Sequence, residues 1–290
     1  MTFPTLRTMR PRQWLKNIFV LPALVFSKHV FEGYYLGQCL AGMLCFMSLS
    51  SAVYLFNDVV DVEQDRLHPE KSKRPIAAGE ISVARALIAA TVLLVLGLAG
   101  AFWLRLEFGY VVLAYGLLNI AYSLKLKHVV LVDVMLVAAG FLLRALGGAV
   151  VIAVEISTWF ILCSFTLPLF LTVVKRRQEL VVLEEGAGAH RAILAEYSVP
   201  FLDHITAILT SATLVFYALY AMGVGEGDGM ARQMQWTIPF VLYGILRYLY
   251  VVYRRRDGDD PTEVVWRDRP LQINLVLWVA ASIWGLYGSP

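Results

Sequence analysis

Charge is scarce in this 290-residue chain. Only 16% of its residues are Asp, Glu, Lys or Arg, whereas 59% are hydrophobic, and the mean hydropathy is +0.65. A soluble globular protein carries more charge than this, so the composition predicts an integral membrane protein. The longest polar stretches are too short to bury a core. We therefore expect a single integral membrane domain over residues 1–290, embedded in the lipid bilayer, and no domain that could dock nucleic acid.

Cysteine and histidine are also few. Cys39, Cys45 and Cys163 all lie within apolar runs, which predicts small buried side chains rather than a disulfide framework. The five histidines are scattered and no Cys-x-x-Cys occurs, so the sequence gives no support to a histidine or cysteine metal site. The basic, polar start Met1–Lys16 is followed by no small-residue cleavage site, and we expect no signal peptide.

Apolar runs of about 20 residues, the length of helix that crosses a bilayer, recur along the whole chain. They predict an all-α, polytopic membrane protein with about nine transmembrane helices. Pro22 interrupts the first run, which makes it the least regular of the nine. The predicted spans are 13–29, 37–60, 82–104, 108–124, 130–153, 156–176, 200–222, 236–253 and 270–287.

The basic residues alternate between the two sides of these spans. Of the 25 Lys and Arg, twenty fall in the N-terminal arm and four alternate loops, three fall in other loops, and two, Arg144 and Arg247, fall within spans. The positive-inside rule places the N-terminus and the basic loops in the cytoplasm. Nine spans, an odd number, agree with this alternation. We expect a multi-pass protein of the cell membrane.

A cluster of carboxylates ends the second predicted span on the cytoplasmic side. Asn57, Asp61 and Asp65 recur every four residues and share one helix face, and Asp58 flanks that face. Carboxylates are costly in hydrocarbon, so a cluster there needs partners or a function. Hard oxygen ligands that point at one spot suit Mg²⁺ that is also held by substrate phosphates. We therefore predict a Mg²⁺ site, with a solvated helix end as the alternative.

Other unusual polar residues are predicted at the same membrane face. Tyr122 and Lys125 end the fourth span, Asp133 opens the fifth, and the run Lys175–Arg177 ends the sixth. Topology and anionic lipid explain basic loops, but they do not explain a carboxylate cluster on the same surface. Carboxylate-bound Mg²⁺ surrounded by Lys and Arg is an arrangement that suits polyphosphate substrates.

Arg144 stands apart from that face. It lies eleven residues after Asp133, which is about 16 Å along a helix and therefore near the middle of the bilayer. A charge at that depth needs a buried partner or a polar cavity. The sequence leaves a structural salt bridge and a substrate contact equally open.

These motifs resemble those of the UbiA superfamily of intramembrane prenyltransferases. The resemblance implies a UbiA-like helical bundle with a cytoplasm-facing active site, and it covers essentially the whole chain. Two further segments resemble the branch that transfers a phosphoribosyl group to a polyprenyl phosphate. The superfamily motifs are Asn57-Asp58-x-x-Asp61-x-x-x-Asp65, the loop Lys73–Gly79, the segment Tyr122–Lys125 and Asp133; the branch segments are Arg10–Asn17 and Lys175–Leu180.

The chain departs from the superfamily pattern at one motif. A prenyltransferase carries a second Asp-x-x-x-Asp after its sixth span, whereas Lys175 and Glu179 occupy those two positions here. A basic second site suits extra phosphates better than a second metal ion. Phosphoribosyl diphosphate supplies them. The resemblance therefore implies Mg²⁺-dependent transfer of 5-phosphoribosyl from phosphoribosyl diphosphate to a polyprenyl (decaprenyl) phosphate, with release of diphosphate, for cell-wall arabinan precursor synthesis in an actinobacterium.

The resemblance also implies roles for the predicted site residues. Because the lipid phosphate is already anionic, the reaction demands no general base. The catalytic residues are Asp58, Asp61 and Asn57, and the Mg²⁺ ligands are Asp58, Asp61 and Asp65. The substrate-binding residues are Gln13, Lys16 and Asn17 for the lipid phosphate, Lys73, Arg74, Lys175 and Arg176 for the other phosphates, and Tyr122, Lys125, Asp133 and Glu179 in the same site.

Two other functions stay open on the sequence. A prenyltransferase that acts on an aromatic or haem-like acceptor would depend on a prenyl diphosphate. A transporter or lipid-binding scaffold would bind without turnover, although the ionisable groups gather at one membrane face instead of forming a path through the middle. The prenyl chain length, the number of Mg²⁺ ions and a homo-oligomeric state are not determined by the sequence.

The predicted orientation gives a direct test. A single cysteine introduced as Ser72→Cys, in the loop after the Asp cluster, should react with an impermeant thiol reagent only in inverted vesicles or broken cells. Gly227→Cys, between the seventh and eighth spans, should react from outside intact cells. Labelling of Ser72→Cys from outside intact cells would reverse the orientation and exclude a cytosolic phosphoribosyl donor.

Overall fold

The computed structural model describes residues 4–69, 71–184, 192–224, 234–254, 264–265 and 267–288. Within these ranges the chain forms helices and no strand, which confirms the predicted all-α class. Gly227 and the basic residues Arg191, Arg232, Arg255 and Arg256, which enter the orientation argument, lie outside them. The α-helices are α1 Pro4–Thr8, α2 Pro22–Phe26, α3 Gly33–Val60, α4 Val62–Leu67, α5 Val83–Leu104, α6 Leu106–Leu124, α7 Val132–Val151, α8 Thr158–Glu184, α9 Val199–Ala221, α10 Ile238–Arg254 and α11 Arg269–Tyr287.

Eight of the nine predicted spans are helices long and apolar enough to cross a membrane. Short 3-10 helices connect or precede several of them. The membrane-crossing candidates in the described residues are Gly33–Val60, Val83–Leu104, Leu106–Leu124, Val132–Val151, Thr158–Val182, Val199–Ala221, Met234–Arg254 and Arg269–Tyr287. The 3-10 helices are Pro11–Val20, Lys71–Lys73, Leu126–His128, Ala192–Glu196 and Met234–Thr237.

The first predicted span, 13–29, is not one continuous helix. A 3-10 helix over Pro11–Val20 is followed by the five-residue helix α2, and the break falls at Pro22. Pro22 has no N–H to donate, so the hydrogen-bond pattern of the preceding 3-10 helix cannot continue through it, and Pro22 instead takes the first position of α2. At about 2.0 Å per residue for the 3-10 part and 1.5 Å for α2, the two pieces laid end to end measure about 27 Å, close to the thickness of the hydrocarbon core. The predicted cytoplasmic orientation of the basic loops requires this segment to cross the membrane. The orientation of the protein therefore stays a prediction.

The chain divides into two compact units. Unit 1 comprises residues 1–125 and 140–155, and unit 2 comprises residues 126–139 and 156–290. Helix α7 contributes to both, because its first eight residues belong to unit 2 and the remainder to unit 1. The single membrane domain expected from the sequence stays a prediction.

Aromatic side chains fill the core of unit 1. Phe46 of α3 and Phe108 of α6 are fully buried, with ring centroids 5.8 Å apart, and Phe46 meets Tyr115 at 5.3 Å. Both pairs are edge-to-face, the geometry that aromatic quadrupoles favour. Cys39 and Cys45 are buried in the same cluster as free thiols, as predicted for them.

Small residues bring α3 and α5 close together in unit 1. A Cβ added to Gly97 would lie 3.2 Å from the carbonyl oxygen of Cys45. The hydroxyl of Ser48 donates to the carbonyl of Leu93 at 2.9 Å. Membrane helices associate through such small residues and hydroxyl hydrogen bonds, because lipid supplies no hydrophobic force between them.

Unit 2 packs α8, α9, α10 and α11 around its own buried residues. Phe170 of α8 meets Tyr248 of α10 with ring centroids 5.8 Å apart. Arg247, the second arginine predicted within a span, is held by Asp268 through Nε–Oδ1 and Nη2–Oδ2 contacts of 3.2 and 2.9 Å. Asp268 also caps α11, because its Oδ1 accepts from the N–H of Leu271 at 3.0 Å. Arg247 therefore has a carboxylate partner that balances its charge.

Gly148 of α7 packs directly on the 3-10 helix Pro11–Val20. A Cβ added there would lie 2.8 Å from the carbonyl carbon of Val20 and 3.0 Å from its Cα. These are backbone atoms, so no side-chain rotation can relieve the overlap. Only a glycine lets α7 and this segment approach so closely.

Gly148→Ala should therefore destabilise the protein, by about 1–3 kcal/mol for an overpacked core position. The measurement is the midpoint of thermal unfolding in detergent. Gly37→Ala is the matched control, because Gly37 lies in α3 with nothing within 4 Å of an added Cβ. Alanine is the better helix former there, so the midpoint should stay the same or rise slightly. Equal midpoints for the two variants would contradict the packing described for Gly148.

Candidate active site

The loop after α4 carries Arg74 toward the carboxylates at the end of α3. A 3-10 turn over Lys71–Lys73 opens the loop, and Gly79 closes it with φ of 77°, a left-handed conformation that glycine adopts without steric cost. Ile76 is 2% exposed and packs in the cluster that contains Leu55 of α3. The apolar anchor and the tight turns together fix the position of Arg74.

Two arginines hold two buried aspartates in unit 1. Arg74 Nη1 donates to Asp58 Oδ1 at 3.2 Å and to Asp65 Oδ2 at 2.6 Å. Arg10 Nη2 donates to the same Oδ1 of Asp58 at 2.5 Å. Asp58 and Asp65 are 3% and 2% exposed. Carboxylates buried this deeply need cationic partners, and each has at least one.

The backbone at Arg10 is strained where its side chain reaches Asp58. Arg10 has φ of 53° and ψ of 65°, in the left-handed region, which costs a non-glycine residue about 1–2 kcal/mol. Pro11 follows it and disfavours the right-handed alternative. The guanidinium lies 4.9 Å from the ring centroid of Tyr54, one turn before Asp58. Strain of this kind persists where surrounding contacts hold it, often at functional sites.

The four-residue spacing predicted for the carboxylate motif continues through the junction between α3 and α4. The N–H of Asp61 donates to the carbonyl of Asn57 at 2.9 Å, and that of Asp65 to the carbonyl of Asp61 at 2.8 Å. The carboxylates that share a cation, however, are Asp58 and Asp65. Asp61 and Asn57 are half-buried and make no side-chain hydrogen bond within the part of the chain that the structure describes.

The donor set at this position fits Mg²⁺ chemically. Asp58 Oδ2 and Asp65 Oδ1 accept no hydrogen bond from the described residues, and Asp61, which lies between these two residues in the chain, supplies a third carboxylate. Hard, anionic oxygens are the ligands that Mg²⁺ prefers. In the described ranges no three acidic side chains are already gathered as a metal-binding group, and Arg74 lies between the carboxylates of Asp58 and Asp65.

A second polar cluster in unit 1 surrounds Arg144. Its Nε donates to Asn17 Oδ1 at 2.9 Å, its Nη1 to the carbonyl of Gly140 at 3.0 Å, and its Nη2 to the Tyr115 hydroxyl at 2.6 Å. The guanidinium also lies 4.6 and 5.4 Å from the ring centroids of Tyr115 and Phe141. The sequence left open whether Arg144 forms a structural salt bridge or contacts a substrate. Among the described residues, Arg144 forms no salt bridge.

In unit 2, Asp133 is fully buried within a network of charged and phenolic groups. Arg176 Nε donates to Asp133 Oδ2 at 3.1 Å, and Arg176 Nη1 donates to Glu179 Oε2 at 2.6 Å. The Tyr197 hydroxyl donates to Asp133 Oδ1 at 2.7 Å and accepts from the N–H of Leu131 at 2.7 Å. The structure therefore brings Asp133, Arg176 and Glu179 together, and Asp133 is placed to orient Arg176.

Tyr197 is a proton donor throughout the physiological pH range. Burial, and then its hydrogen bond to Asp133, raise the pKa of Tyr197 to about 12. The phenol binds its proton more tightly in the folded than in the unfolded state. Its contribution to stability is therefore complete below pH 10 and is lost as the pH rises toward 12.

The remaining predicted residues lie at several positions. Gln13 and Lys16 are half-buried on the 3-10 helix Pro11–Val20, whose Asn17 is fully buried; Lys73 is exposed in the loop of Arg74. In the same unit, Tyr122 is half-buried near the end of α6 and Lys125 is exposed just after it. Lys175 is half-buried on α8 of unit 2.

A family model described as "UbiA prenyltransferase family" matches residues 17–284. The chain belongs to this family. That membership confirms the resemblance drawn from the carboxylate motif and the loop after it. As a UbiA protein it is a transferase, and its multi-pass membrane character follows from its apolar helices and its family.

The UbiA chain is similar to named enzymes along nearly its whole length. It is 36% identical over 282 residues to a decaprenyl-phosphate phosphoribosyltransferase of Mycobacterium tuberculosis, which covers 94% of this chain and 91% of that protein. The enzyme of the same name from Corynebacterium glutamicum is 32% identical over 292 residues, covering 98% and 87%.

The fold is similar to that of a solved UbiA homolog from Archaeoglobus fulgidus bound to DMAPP and Mg²⁺. The TM-score is 0.74, with 97% of this chain and 98% of that chain covered at 20% identity. This likeness confirms the predicted UbiA-like helical bundle.

Two residues that complete the polar clusters of this UbiA chain, Arg10 and Tyr115, were not predicted as site residues. A basic residue before a proline at the membrane face is a signal for Arg10. Tyr115 carries no such signal, because a tyrosine in an apolar helix is expected as core. Trp14, on the 3-10 helix Pro11–Val20, donates its indole N–H to the Ser51 hydroxyl at 3.0 Å.

Tyr197→Phe should destabilise this UbiA protein, because it leaves the N–H of Leu131 and an oxygen of Asp133 without their partner. A buried polar group left unsatisfied costs about 1–3 kcal/mol. The measurement is the thermal unfolding midpoint at neutral pH. Tyr110→Phe, at a position that is 59% exposed, is the matched control and should leave the midpoint unchanged. The same midpoint in both variants would mean that the Asp133 network does not stabilise the fold.

Proposed function

We propose that this UbiA protein transfers the 5-phosphoribosyl group of phosphoribosyl diphosphate to a polyprenyl phosphate, such as decaprenyl phosphate, and releases diphosphate. The observation that carries the proposal is the similarity of 32–36% over almost the full chain to proteins named decaprenyl-phosphate phosphoribosyltransferase. The product would serve cell-wall arabinan precursor synthesis. The active face would be cytoplasmic, where phosphoribosyl diphosphate is found.

The arrangement in unit 1 supports a site for an anionic leaving group. Asp58, Asp61 and Asp65, with Asn57 beside them, would hold Mg²⁺. When bound, the ion neutralises charge that develops on the departing diphosphate. Arg10 and Arg74 already lie against the same carboxylates, so they can move their donors to phosphate oxygens without leaving the site.

The chemistry is a substitution at C1 of the ribose. The bond from C1 to the diphosphate oxygen breaks with oxocarbenium character, as in glycosyl transfer generally. An oxygen of the lipid phosphate forms the new bond to C1, and diphosphate leaves with the bonding electron pair. The attacking oxygen is anionic before it reacts, so no side chain has to remove a proton. Gln13, Lys16 and Asn17 are proposed to hold the lipid phosphate.

Basic residues are proposed to hold the remaining phosphates. Lys73, Arg74, Lys175 and Arg176 can donate charge-assisted hydrogen bonds, which are shorter and stronger than neutral ones. Tyr122 and Lys125 are assigned to the same substrate.

The position of Glu179 supports this choice of substrate. A prenyltransferase uses that position for a carboxylate of a second metal motif, whereas here Glu179 is paired with the 4% exposed Arg176. Asp133 holds the other side of Arg176. Lys175 at the first position of the motif places a cation where a metal-binding motif has a carboxylate, so this part of α8 suits a phosphate better than a second metal ion.

The decisive experiment incubates purified protein with labelled phosphoribosyl diphosphate and decaprenyl phosphate, with and without Mg²⁺. We expect a labelled lipid and free diphosphate only when Mg²⁺ is present. Transfer of a prenyl group from prenyl diphosphate to an aromatic acceptor, with no reaction of phosphoribosyl diphosphate, would replace the proposal by the prenyltransferase alternative. Binding of both substrates without turnover would favour a lipid-binding scaffold.

Asp58→Ala and Asp61→Ala should each reduce turnover at least about 100-fold, because each removes an anion that would balance the metal at the leaving group. Turnover is measured as labelled lipid formed per minute over a range of Mg²⁺ concentrations. Glu63→Ala is the control, because Glu63 is exposed on α4 and pairs with Arg66 on the same helix. Near-normal Mg²⁺-dependent turnover in both aspartate variants would falsify the site.

The double variant Lys175→Asp with Glu179→Asp should raise the KM for phosphoribosyl diphosphate at least about tenfold. It replaces a cation beside phosphates by an anion and removes a charge-assisted contact worth about 1.5–3 kcal/mol. Glu179→Asp alone is the control for the loss of one methylene. If the double variant keeps the KM of the wild type, the basic cluster serves topology only and the prenyl diphosphate alternative regains support.

A further inference from the structure

Arg144 is a buried cation whose hydrogen-bond partners are all neutral. It is 6% exposed, and the groups that accept from it are an amide oxygen, a backbone carbonyl and a phenol. Three other arginines on membrane-crossing helices each have a carboxylate partner. Those pairs are Arg176 with Asp133, Arg177 with Asp203, and Arg247 with Asp268. Among the described residues, none of the ion pairs includes Arg144.

Several donors remain free around this cation. A guanidinium has five N–H groups, and three of them are used in the hydrogen bonds of Arg144. The oxygen and nitrogen of the Asn17 amide can be assigned from this contact. An arginine side chain only donates hydrogen bonds, so the amide atom that faces it must be the acceptor Oδ1. Nδ2 of Asn17 then points away from Arg144, is buried, and has no acceptor among the described residues. Two guanidinium N–H groups and two amide N–H groups are thus left in one cluster.

An unsatisfied buried donor costs about 1–3 kcal/mol, and an uncompensated buried charge costs more. A structural role does not explain this cost, because an apolar residue of similar size at either position would avoid it. A polar group that is left without a partner therefore indicates a ligand that supplies one.

The cluster adjoins the carboxylate site. Tyr54 of α3 precedes Asp58 by one helical turn, and the Arg10 guanidinium lies 4.9 Å from its ring centroid. Arg10 in turn contacts Asp58. Trp14, one turn of the 3-10 helix before Asn17, is hydrogen-bonded to Ser51 on the same helix α3. A ligand with phosphates on both sides of a sugar, or two ligands that meet at C1, could therefore contact both clusters.

We propose that Asn17 and Arg144 form a phosphate subsite next to the carboxylate site, in which the free N–H groups of both side chains donate to oxygens of a bound phosphate. The inference rests on the proposed function for the identity of the ligand. The phosphate belongs either to the polyprenyl phosphate or to phosphoribosyl diphosphate. Tyr115 and Gly140 hold the guanidinium in place, and the phosphate supplies the negative charge that Arg144 otherwise lacks.

The sharpest variant is Asn17→Asp, which has the same shape. Its carboxylate would accept from Arg144 as the amide oxygen does, and would form the ion pair that the wild type lacks. The ligand-free unfolding midpoint should therefore stay the same or rise. The N–H donors of the amide are replaced by an anionic oxygen, so a phosphate should bind at least about tenfold more weakly.

Binding is measured without turnover, as the Kd for decaprenyl phosphate and, separately, for phosphoribosyl diphosphate with Mg²⁺, in detergent-purified protein. The ligand whose Kd rises in Asn17→Asp and in Arg144→Met identifies the phosphate that the subsite holds. Arg247→Met is the matched control. It leaves Asp268 unpaired and should lower the ligand-free midpoint, but it should not change either Kd.

The outcomes separate the subsite from the proposed reaction. Unchanged Kd values for both ligands in Asn17→Asp would overturn the subsite, even if the wild type turns over both substrates. If the wild type binds both ligands without reacting them, and one Kd rises in the variants, the subsite stands and the reaction fails. A wild type that binds neither ligand nor inorganic diphosphate overturns both. If Arg144→Met does not fold, Asn17→Asp decides alone.

Discussion

A carboxylate buried in a membrane protein must be balanced by a cation, and Asp58 is the residue on which the site of unit 1 depends. Its Oδ1 accepts from two guanidinium groups that come from distant parts of the chain. Arg10 lies between α1 and the 3-10 helix Pro11–Val20, and Arg74 lies in the loop after α4. The strained backbone at Arg10 and the turn anchored by Ile76 position these two guanidinium groups. Both features therefore hold positive charge against the same oxygen of Asp58.

The same constraint explains how charge is distributed over the described structure. Arg176, Arg177 and Arg247 each meet a carboxylate, and the attraction within each pair offsets part of the cost of removing two charges from water. The Asp58 and Arg144 clusters differ, because one holds carboxylate oxygens that accept nothing and the other holds donors that find no acceptor. Folded proteins tolerate such unpaired groups at functional sites, because a bound ligand supplies the missing partners. The cost is a lower stability of the ligand-free protein.

The sequence predicted the helical class, the carboxylate motif and the basic loop beside it. These features depend on residues that are close together in the chain, namely apolar runs and a four-residue spacing. It also indicated the break at Pro22, although one long helix was expected over 13–29. Pairings between distant residues were not predictable. Nothing local indicates that Arg144 would meet Asn17 rather than a carboxylate, or that Asp65 rather than Asp61 would share a cation with Asp58. Such pairings depend on how helices pack, and apolar helix faces carry little information about their neighbours.

The division of α7 between the two units bears on how the chain is made. Unit 1 is complete once residue 155 has been synthesised, and the partners of Arg144, namely Asn17, Tyr115 and Gly140, all precede it in the chain. A nascent α7 that enters the membrane with an arginine at its centre can therefore meet acceptors that are already inserted. Asp133, on the same helix, must wait for Arg176 and Tyr197 to emerge from the ribosome. Membrane insertion of α7 is thus supported first at its centre and only later at its N-terminal end.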